Sequence, residues 1–223
     1  MAQAKARGAR RRRPLVHRGQ ELRCDTRFEA EARGAGFRVV AGLDEVGRGA
    51  LCGPVVACAV VLGTGFDTTG LDDSKRLTRR QRQRLAERVR RQASAVSLGS
   101  ADVAEIDRLN ILRATGLAMQ RAVQGLQPPP DLVLVDGNQA PPLPVPSRAI
   151  VKGDALSVSI AAASIVAKEE RDAQMREWDR RFPGYGLSSN MGYGSVGHRE
   201  ALRRLGPTPI HRRSFHGTQP WLF

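Results

Sequence analysis

A chain of 223 residues suits one domain of good size, or one domain with appendages. Its formal net charge of +14 and pI near 11.2 favour a polyanionic partner, most simply nucleic acid, over a merely basic tail on an ordinary enzyme. No apolar run approaches a membrane span, no signal-peptide core follows the basic start, and three cysteines without metal-ligand spacing suit a reducing cytoplasm.

Residues 1–20 read as a disordered basic tail. Lys5, Arg7, Arg10, Arg11, Arg12, Arg13 and Arg18 stand there with no acid before Glu21. The tail either adds salt-sensitive affinity for nucleic acid or is an inert extension. Leu22 to Arg33 reads as a short amphipathic helix. Phe37 to Ala41 reads as a buried strand, and Pro54 to Leu62 as a second. Between them lies Gly42-Leu43-Asp44-Glu45-Val46-Gly47-Arg48-Gly49. Adjacent acids at the end of a buried strand lose hydration, and a hard divalent cation compensates. Gly-Arg-Gly lets the backbone approach a ligand and adds a planar fork of donors suited to phosphate. It is not a Walker A loop, since no Gly-Lys-Ser/Thr follows. Taken alone, the octapeptide is equally well a hairpin turn with solvated charges.

A loop, Leu71 to Leu77, leads to Thr78, the expected N-cap of a helix ending near Gln92. Leu85, Ala86 and Val89 mark its inner face, and its outer face is dense in arginine. Ala95 to Gly99 is a third strand. Ala101 to Leu109 and Ile111 to Gly125 read as helices, ended by Pro128, Pro129 and Pro130. Leu132 to Val135 is a compact strand delivering Asp136-Gly137-Asn138. After a proline-rich loop, Ala149 to Lys152 reads as a short strand, followed by Gly153-Asp154. A long helix is expected from about Ser157 to Arg181, with a small apolar first half suited to close packing on a sheet. Residues 21–181 thus form the expected main domain. Residues 182–215, rich in glycine and proline and carrying a helix from His198 to Leu205, read as an appendage, and 216–223 as a flexible tail.

Asp44 with Glu45, Asp136, and Asp154 each follow an apolar run. If the strands are neighbours, four carboxylates converge at one sheet edge, where repulsion opposes them unless cations intervene. Such a set can hold two Mg²⁺ or Mn²⁺ ions, which activate water and stabilise the leaving oxygen of a phosphodiester. Alternatively, each acid caps a helix or closes a turn. No Gly-x-Ser-x-Gly elbow supports a triad hydrolase. Another metal-dependent nuclease, such as a junction resolvase, and a non-catalytic nucleic-acid-binding module are competing readings. Four clustered carboxylates weigh against the latter.

The motifs Asp44-Glu45-Val46-Gly47-Arg48-Gly49, Leu71-Asp72-Asp73-Ser74-Lys75, Glu105 to Leu112, Val135 to Asn138, Lys152-Gly153-Asp154, Ser159 to Lys168 and Gly206 to Phe215 stand in the order of bacterial ribonuclease HII. The chain resembles that family over about Phe37 to Phe215. The resemblance implies an α/β, ribonuclease H-like fold: a mixed five-stranded sheet flanked by helices, with a C-terminal helical extension. It implies endonucleolytic cleavage of RNA in RNA–DNA hybrids and at ribonucleotides embedded in duplex DNA, on the 5′ side of a ribonucleotide, leaving a 3′-hydroxyl and a 5′-phosphate. Asp44, Glu45, Asp136 and Asp154 take the roles of catalytic and metal-binding residues by this resemblance, with Mg²⁺ or Mn²⁺ as cofactor. Gly47, Arg48, Gly49, Ser74, Lys75 and Tyr193 are the implied substrate-binding residues. Within that set Gly-Arg-Gly reads the ribose 2′-hydroxyl and Tyr193 packs on the neighbouring deoxyribose.

Around Tyr193 the family commonly has His-Lys-Gly-Tyr-Gly-Thr, whereas this chain has Asn190-Met191-Gly192-Tyr193-Gly194-Ser195, losing a basic contact. At the chain end, Gln219, Trp221, Leu222 and Phe223 resemble peptides that dock into the bacterial sliding clamp. Proline at position 220 departs from the commonest of these, and folding back of the aromatics onto the protein's own surface is the competing reading. Nothing in the sequence calls for a dimer.

Overall fold

The computed structural model describes residues 24–218. The expected basic tail at 1–20 and the peptide Gln219 to Phe223 lie outside the described residues.

Among the described residues one five-stranded sheet runs in the order β3-β2-β1-β4-β5. β1 (Val40–Val46) pairs antiparallel with β2 (Val55–Val61), which pairs antiparallel with β3 (Ala95–Ala101). On its other side β1 pairs in parallel with β4 (Leu132–Asp136), and β4 in parallel with β5 (Ser147–Ile150). The sheet is therefore mixed and five-stranded, as the resemblance implied.

β3 runs on to Ala101, where the sequence suggested a helix start, and two further differences from the expected strand bounds bear on the site. The Asp131 carboxylate accepts the backbone N–H groups of Arg38 and Val39 at 2.8 and 3.0 Å, removing donors that a strand over Phe37 to Ala41 would use. β1 starts later and runs on through Val46, so Asp44 and Glu45 lie inside the strand, paired with Cys58 and Ala57. β5 ends at Ile150 instead of reaching Lys152. The chain there turns into a 3₁₀ segment (Gly153–Ala155) after Lys152 takes the left-handed conformation, φ 59°.

Helices cover both faces. α3 (Val103–Leu109) and α4 (Ile111–Gln124) close one, where Ala114, Ala118 and Ala122 pack with Leu43, Val55, Ala57 and Ala59. α2 (Arg79–Gln92) and α5 (Val158–Arg181) close the other, over Cys58 and Val60. β2 is covered on both sides, so every residue in it is buried. The small residues at the start of α5 permit a tight approach: a Cβ on Gly42 would lie 2.1 Å from the backbone carbonyl carbon of Ser159. Each Leu, Val or Ile buried in these layers stabilises the fold by about 1.5–3 kcal/mol before entropy is counted. Thr78 and Gln81 form a reciprocal capping box on α2, as the sequence pattern predicts for Thr78.

The first helix, α1 (Arg27–Gly34), is shorter than the expected Leu22 to Arg33. Asp25 is held in an extended bridge to Ser157, and its carboxylate accepts the Arg27 N–H at 3.0 Å. Glu29 on α1 is buried and accepts from Ser157 Oγ at 2.5 Å and Ser159 N–H at 3.0 Å, which fixes the start of α5.

After α5 come α6 (Leu187–Asn190) and α7 (Val196–Leu205). α7 begins before His198 because Ser195 Oγ accepts the His198 N–H. Tyr185, Leu187 and Leu202 form a separate apolar cluster with Leu51, Cys52 and Met175, so this segment packs against the loop that follows β1. Among the described residues, no helix is long and apolar enough to cross a membrane.

Candidate active site

The parallel pairing of β1 with β4 sets their carboxyl ends side by side, which brings Asp44 and Glu45 next to Asp136. β5, parallel to β4, delivers the 3₁₀ turn that carries Asp154. Asp136 Oδ1 accepts the Gly153 N–H at 2.7 Å and the Asp154 N–H at 3.4 Å, locking that turn to β4. All four carboxylates line one cleft of about 390 Å³. Gly47, Arg48, Gly49, Ser74, Lys75 and Tyr193 line the same cleft. Side chains alternate along a strand, so Asp44, opposite Cys58, faces the α5 side and Glu45, opposite Ala57, the α4 side. The cleft therefore wraps around the end of the sheet.

The site carries an excess of negative charge. Burial pushes the Asp44 carboxyl well above its ordinary range, with the charges of Glu45 and Asp136 adding to the effect. Bonds from Ser164 and from the Glu45 N–H, the latter at 2.7 Å, oppose it only in part. Glu45 is raised by burial, against the opposing bond from Arg48 at 3.1 Å. Asp136 is raised by burial and by Asp154. Lys75 reaches Asp154 Oδ2 at 3.0 Å. Burial pulls the Lys75 ammonium down, yet the bond to Asp154 and the charges of Asp154, Asp73 and Asp44 outweigh it and hold the pKa above its ordinary value. Among the described residues neither Asp44 nor Asp136 has an ion-pair partner, while Glu45 and Asp154 have one cation each in the cleft. Converging oxygen donors with uncompensated negative charge, in a half-buried cleft, fit hard divalent cations.

Two buried arginines that sequence reasoning gave no role hold the loops of the cleft. Arg171 lies in the half of α5 that reads as merely charged. It is fully buried and donates to the backbone carbonyls of Pro54 at 3.2 Å, Met191 at 2.8 Å and Cys52 at 3.1 Å. Its guanidinium also sits 5.5 Å from the centre of the Tyr193 ring. Arg212 donates to the carbonyls of Gly53 at 2.9 Å, Arg48 at 2.9 Å and Gly47 at 2.7 Å. Burial pulls both pKa values down, that of Arg212 to about 10. A third, Arg82, fixes the Ser74–Lys75 loop through the carbonyls of Ser74 and Leu77 and an ion pair with Glu169. The sequence signal at Arg212 was the basic run His211-Arg212-Arg213 within the Gly206 to Phe215 motif, which does not distinguish a surface patch from a buried clamp.

Ser74 is buried, and its Oγ lies 3.1 Å from Ser164 Oγ, so its side chain ties the loop to α5 while Lys75 extends into the cleft. Tyr193 is 38% exposed beside Gly49, with a backbone bridge to Ala50. It is a cleft aromatic with an open face, not a core residue.

The model of the family described as Ribonuclease HII matches residues 41–218. A ribonuclease HII from Geobacter sulfurreducens is 51% identical over 195 residues, covering 87% of this chain and 90% of that protein. The crystal structure of ribonuclease H2 from Pyrococcus horikoshii OT3 superposes with a TM-score of 0.69 at 26% identity, covering 82% of this chain and 96% of that one. The RNase HII of Archaeoglobus fulgidus, solved in complex with PCNA, has the same fold, with a TM-score of 0.68 at 24% identity over 78% of this chain and 94% of that one. Family model, near-half identity over most of the chain, and shared sheet agree: the chain belongs to the ribonuclease HII family, metal-dependent endoribonucleases acting on RNA in RNA–DNA hybrids.

Proposed function

We propose that Asp44, Glu45, Asp136 and Asp154 are the catalytic carboxylates. In this reading the enzyme cuts on the 5′ side of a ribonucleotide, in hybrids and in duplex DNA, and leaves a 3′-hydroxyl and a 5′-phosphate. The observation that carries the reading is the convergence of four acids from three chain segments on one cleft, with Asp44 and Asp136 lacking a cationic partner among the described residues. Two Mg²⁺ or Mn²⁺ ions bound by these acids supply the Lewis-acid chemistry of phosphodiester hydrolysis.

The chain's own groups bind and orient the substrate. Gly47-Arg48-Gly49 is held by Arg212 through two of its carbonyls, which sets it facing the cleft at low reorganisation cost. Its backbone and Arg48 read the ribose 2′-hydroxyl, the group that separates RNA from DNA. The open face of Tyr193, next to Gly49, packs on the neighbouring deoxyribose. Lys75, Arg48 and Lys168 line the same cleft and offer positive charge to the phosphates. Gln219 to Phe223 dock on a sliding clamp in this proposal, as the fold relative from Archaeoglobus fulgidus was solved with PCNA.

Three substrates test the reading, each with and without Mg²⁺: a duplex with one ribonucleotide, an all-DNA duplex and a four-way junction. Cleavage confined to the first, and only with the ion, is expected. Cutting of the junction would favour a resolvase, and binding without cutting a passive module.

A further inference from the structure

His198 on α7 and His211 beyond it are buried and face each other, Nε2 to Nε2, at 3.1 Å. Their outer nitrogens decide where the protons are. His198 Nδ1 lies 2.9 Å from the carbonyl oxygen of Tyr193, which only accepts, so Nδ1 carries the proton. In the neutral ring His198 Nε2 then accepts, and His211 Nε2 must donate to it. That leaves His211 Nδ1 as an acceptor, and it receives the Thr208 N–H at 3.0 Å, with Thr208 Oγ1 at 2.8 Å. One arrangement of protons satisfies every group, and it requires both rings to be neutral. Burial pulls both pKa values down, that of His211 to about 4.

The next residue, Arg212, grips the other loop of the cleft through the carbonyls of Gly47, Arg48 and Gly53. Its own N–H donates to the Leu51 carbonyl at 2.9 Å, and Cys52 forms a backbone bridge with His211. One dipeptide thus reaches both loops. We propose that His211-Arg212 is a spacing device: Arg212 holds the Gly47-Arg48-Gly49 loop, and His211, through His198, holds the Tyr193 loop at a fixed distance from it. These are positioning residues, and the inference rests on the reading above that both loops contact the ribonucleotide.

A metal centre is the competing use of the cluster, because Cys52 Sγ and ring nitrogens of both histidines lie within 4.8 Å of one another. The Thr208 N–H argues against it. It forces the His211 proton onto Nε2, where a metal would need a lone pair. The titratable and charged groups facing the pair are Cys52, Tyr185 at 5.2 Å from the His211 ring, and Arg199 on α7, with Arg171 and Arg212 beyond Cys52.

Long-range ¹H–¹⁵N imidazole spectra of the full chain test the proton arrangement independently of activity, and the chain has only 4 histidines to assign. Expected are the Nδ1-H form for His198 and the Nε2-H form for His211 at neutral pH, unchanged by one equivalent of Zn²⁺. The reverse tautomers, or zinc-shifted signals from both rings, would overturn the relay. Kinetics on a duplex with one ribonucleotide test the positioning role. His198→Leu should lower kcat/KM about tenfold. His198→Asn, whose amide can still donate to the Tyr193 carbonyl but is too short to reach His211 Nε2, should recover only part of that loss. In a Tyr193→Ala background His198→Leu should add almost nothing. Full additivity of the two substitutions, or complete recovery by His198→Asn, would overturn the role. Should His198→Leu not fold, the spectra and His198→Asn decide. If the unaltered protein bound the duplex without cutting it, the reading of function would fall while the spectra still stood.

Discussion

Gly47 and Arg171 are packed so closely that a Cβ on Gly47 would lie 2.2 Å from Arg171 Nε. Arg171 has no room to yield, since three backbone carbonyls hold its guanidinium. Gly47 also has φ +93°, a conformation that costs other residues about 1–2 kcal/mol. The glycine that opens Gly-Arg-Gly is thus demanded by packing as well as by approach to a ligand. Gly47→Ala should destabilise the protein by ~2–4 kcal/mol. It should also lower cleavage more than metal binding. Chemical denaturation beside calorimetric Mn²⁺ titration checks this, and unchanged stability would contradict the clash.

Asp44→Asn should abolish cleavage yet make the metal-free protein more stable. The folded pKa of Asp44 is raised by burial and like charges. Its contribution to stability is therefore present at low pH and lost as pH rises through that folded value. Asparagine does not titrate and escapes the loss. Melting curves should show a higher Tm than the parent without metal, and a smaller gain when Mg²⁺ or Mn²⁺ is added. Near-normal turnover in this variant would remove Asp44 from the site.

Lys75 competes with cations for Asp154, which it contacts at 3.0 Å. Lys75→Met should tighten Mn²⁺ binding a few-fold, because a positive charge leaves the cleft. Cleavage should nonetheless fall, by ~100-fold, if the lysine meets the substrate phosphates as proposed. Weaker Mn²⁺ binding in calorimetry would show that Lys75 organises the acids instead of competing for them.

Much of this site was legible in the sequence. An apolar run followed by an acid occurs before Asp44, Asp136 and Asp154, and β1, β4 and β5 do lie adjacent. The limits of β1 were not legible, because the Asp131 carboxylate that takes the Arg38 and Val39 amides lies about ninety residues along the chain. Arg171 and Arg212 were missed for a different reason. Arginine is seldom fully buried, so an arginine in a charged helix half reads as solvated. Only the fold shows that glycine-rich loops crowd their carbonyls around it.

Acid should weaken the fold through the histidine pair. His211 falls from an unfolded pKa near 6.5 to about 4 in the folded protein. Its stabilisation is complete above 6.5 and is lost as pH falls through the window from 6.5 to about 4, by up to about 3 kcal/mol. The raised Asp44, Glu45 and Asp136 work in the opposite sense. The difference between the parent and His211→Asn isolates the histidine contribution. Denaturation midpoints should fall less steeply with acid in the variant, and parallel curves would contradict a buried neutral His211.

The most direct measurement maps the ends left on a duplex of DNA containing one ribonucleotide, labelled on the ribonucleotide strand and incubated with Mg²⁺ or Mn²⁺. The four converging carboxylates and the Gly47-Arg48-Gly49 and Tyr193 loops predict a single cut on the 5′ side of the ribonucleotide, with a 3′-hydroxyl and a 5′-phosphate. Asp136→Asn should bind the duplex and leave it whole. A cut on the 3′ side, a 2′,3′-cyclic phosphate, or undiminished cleavage by Asp136→Asn would contradict the account.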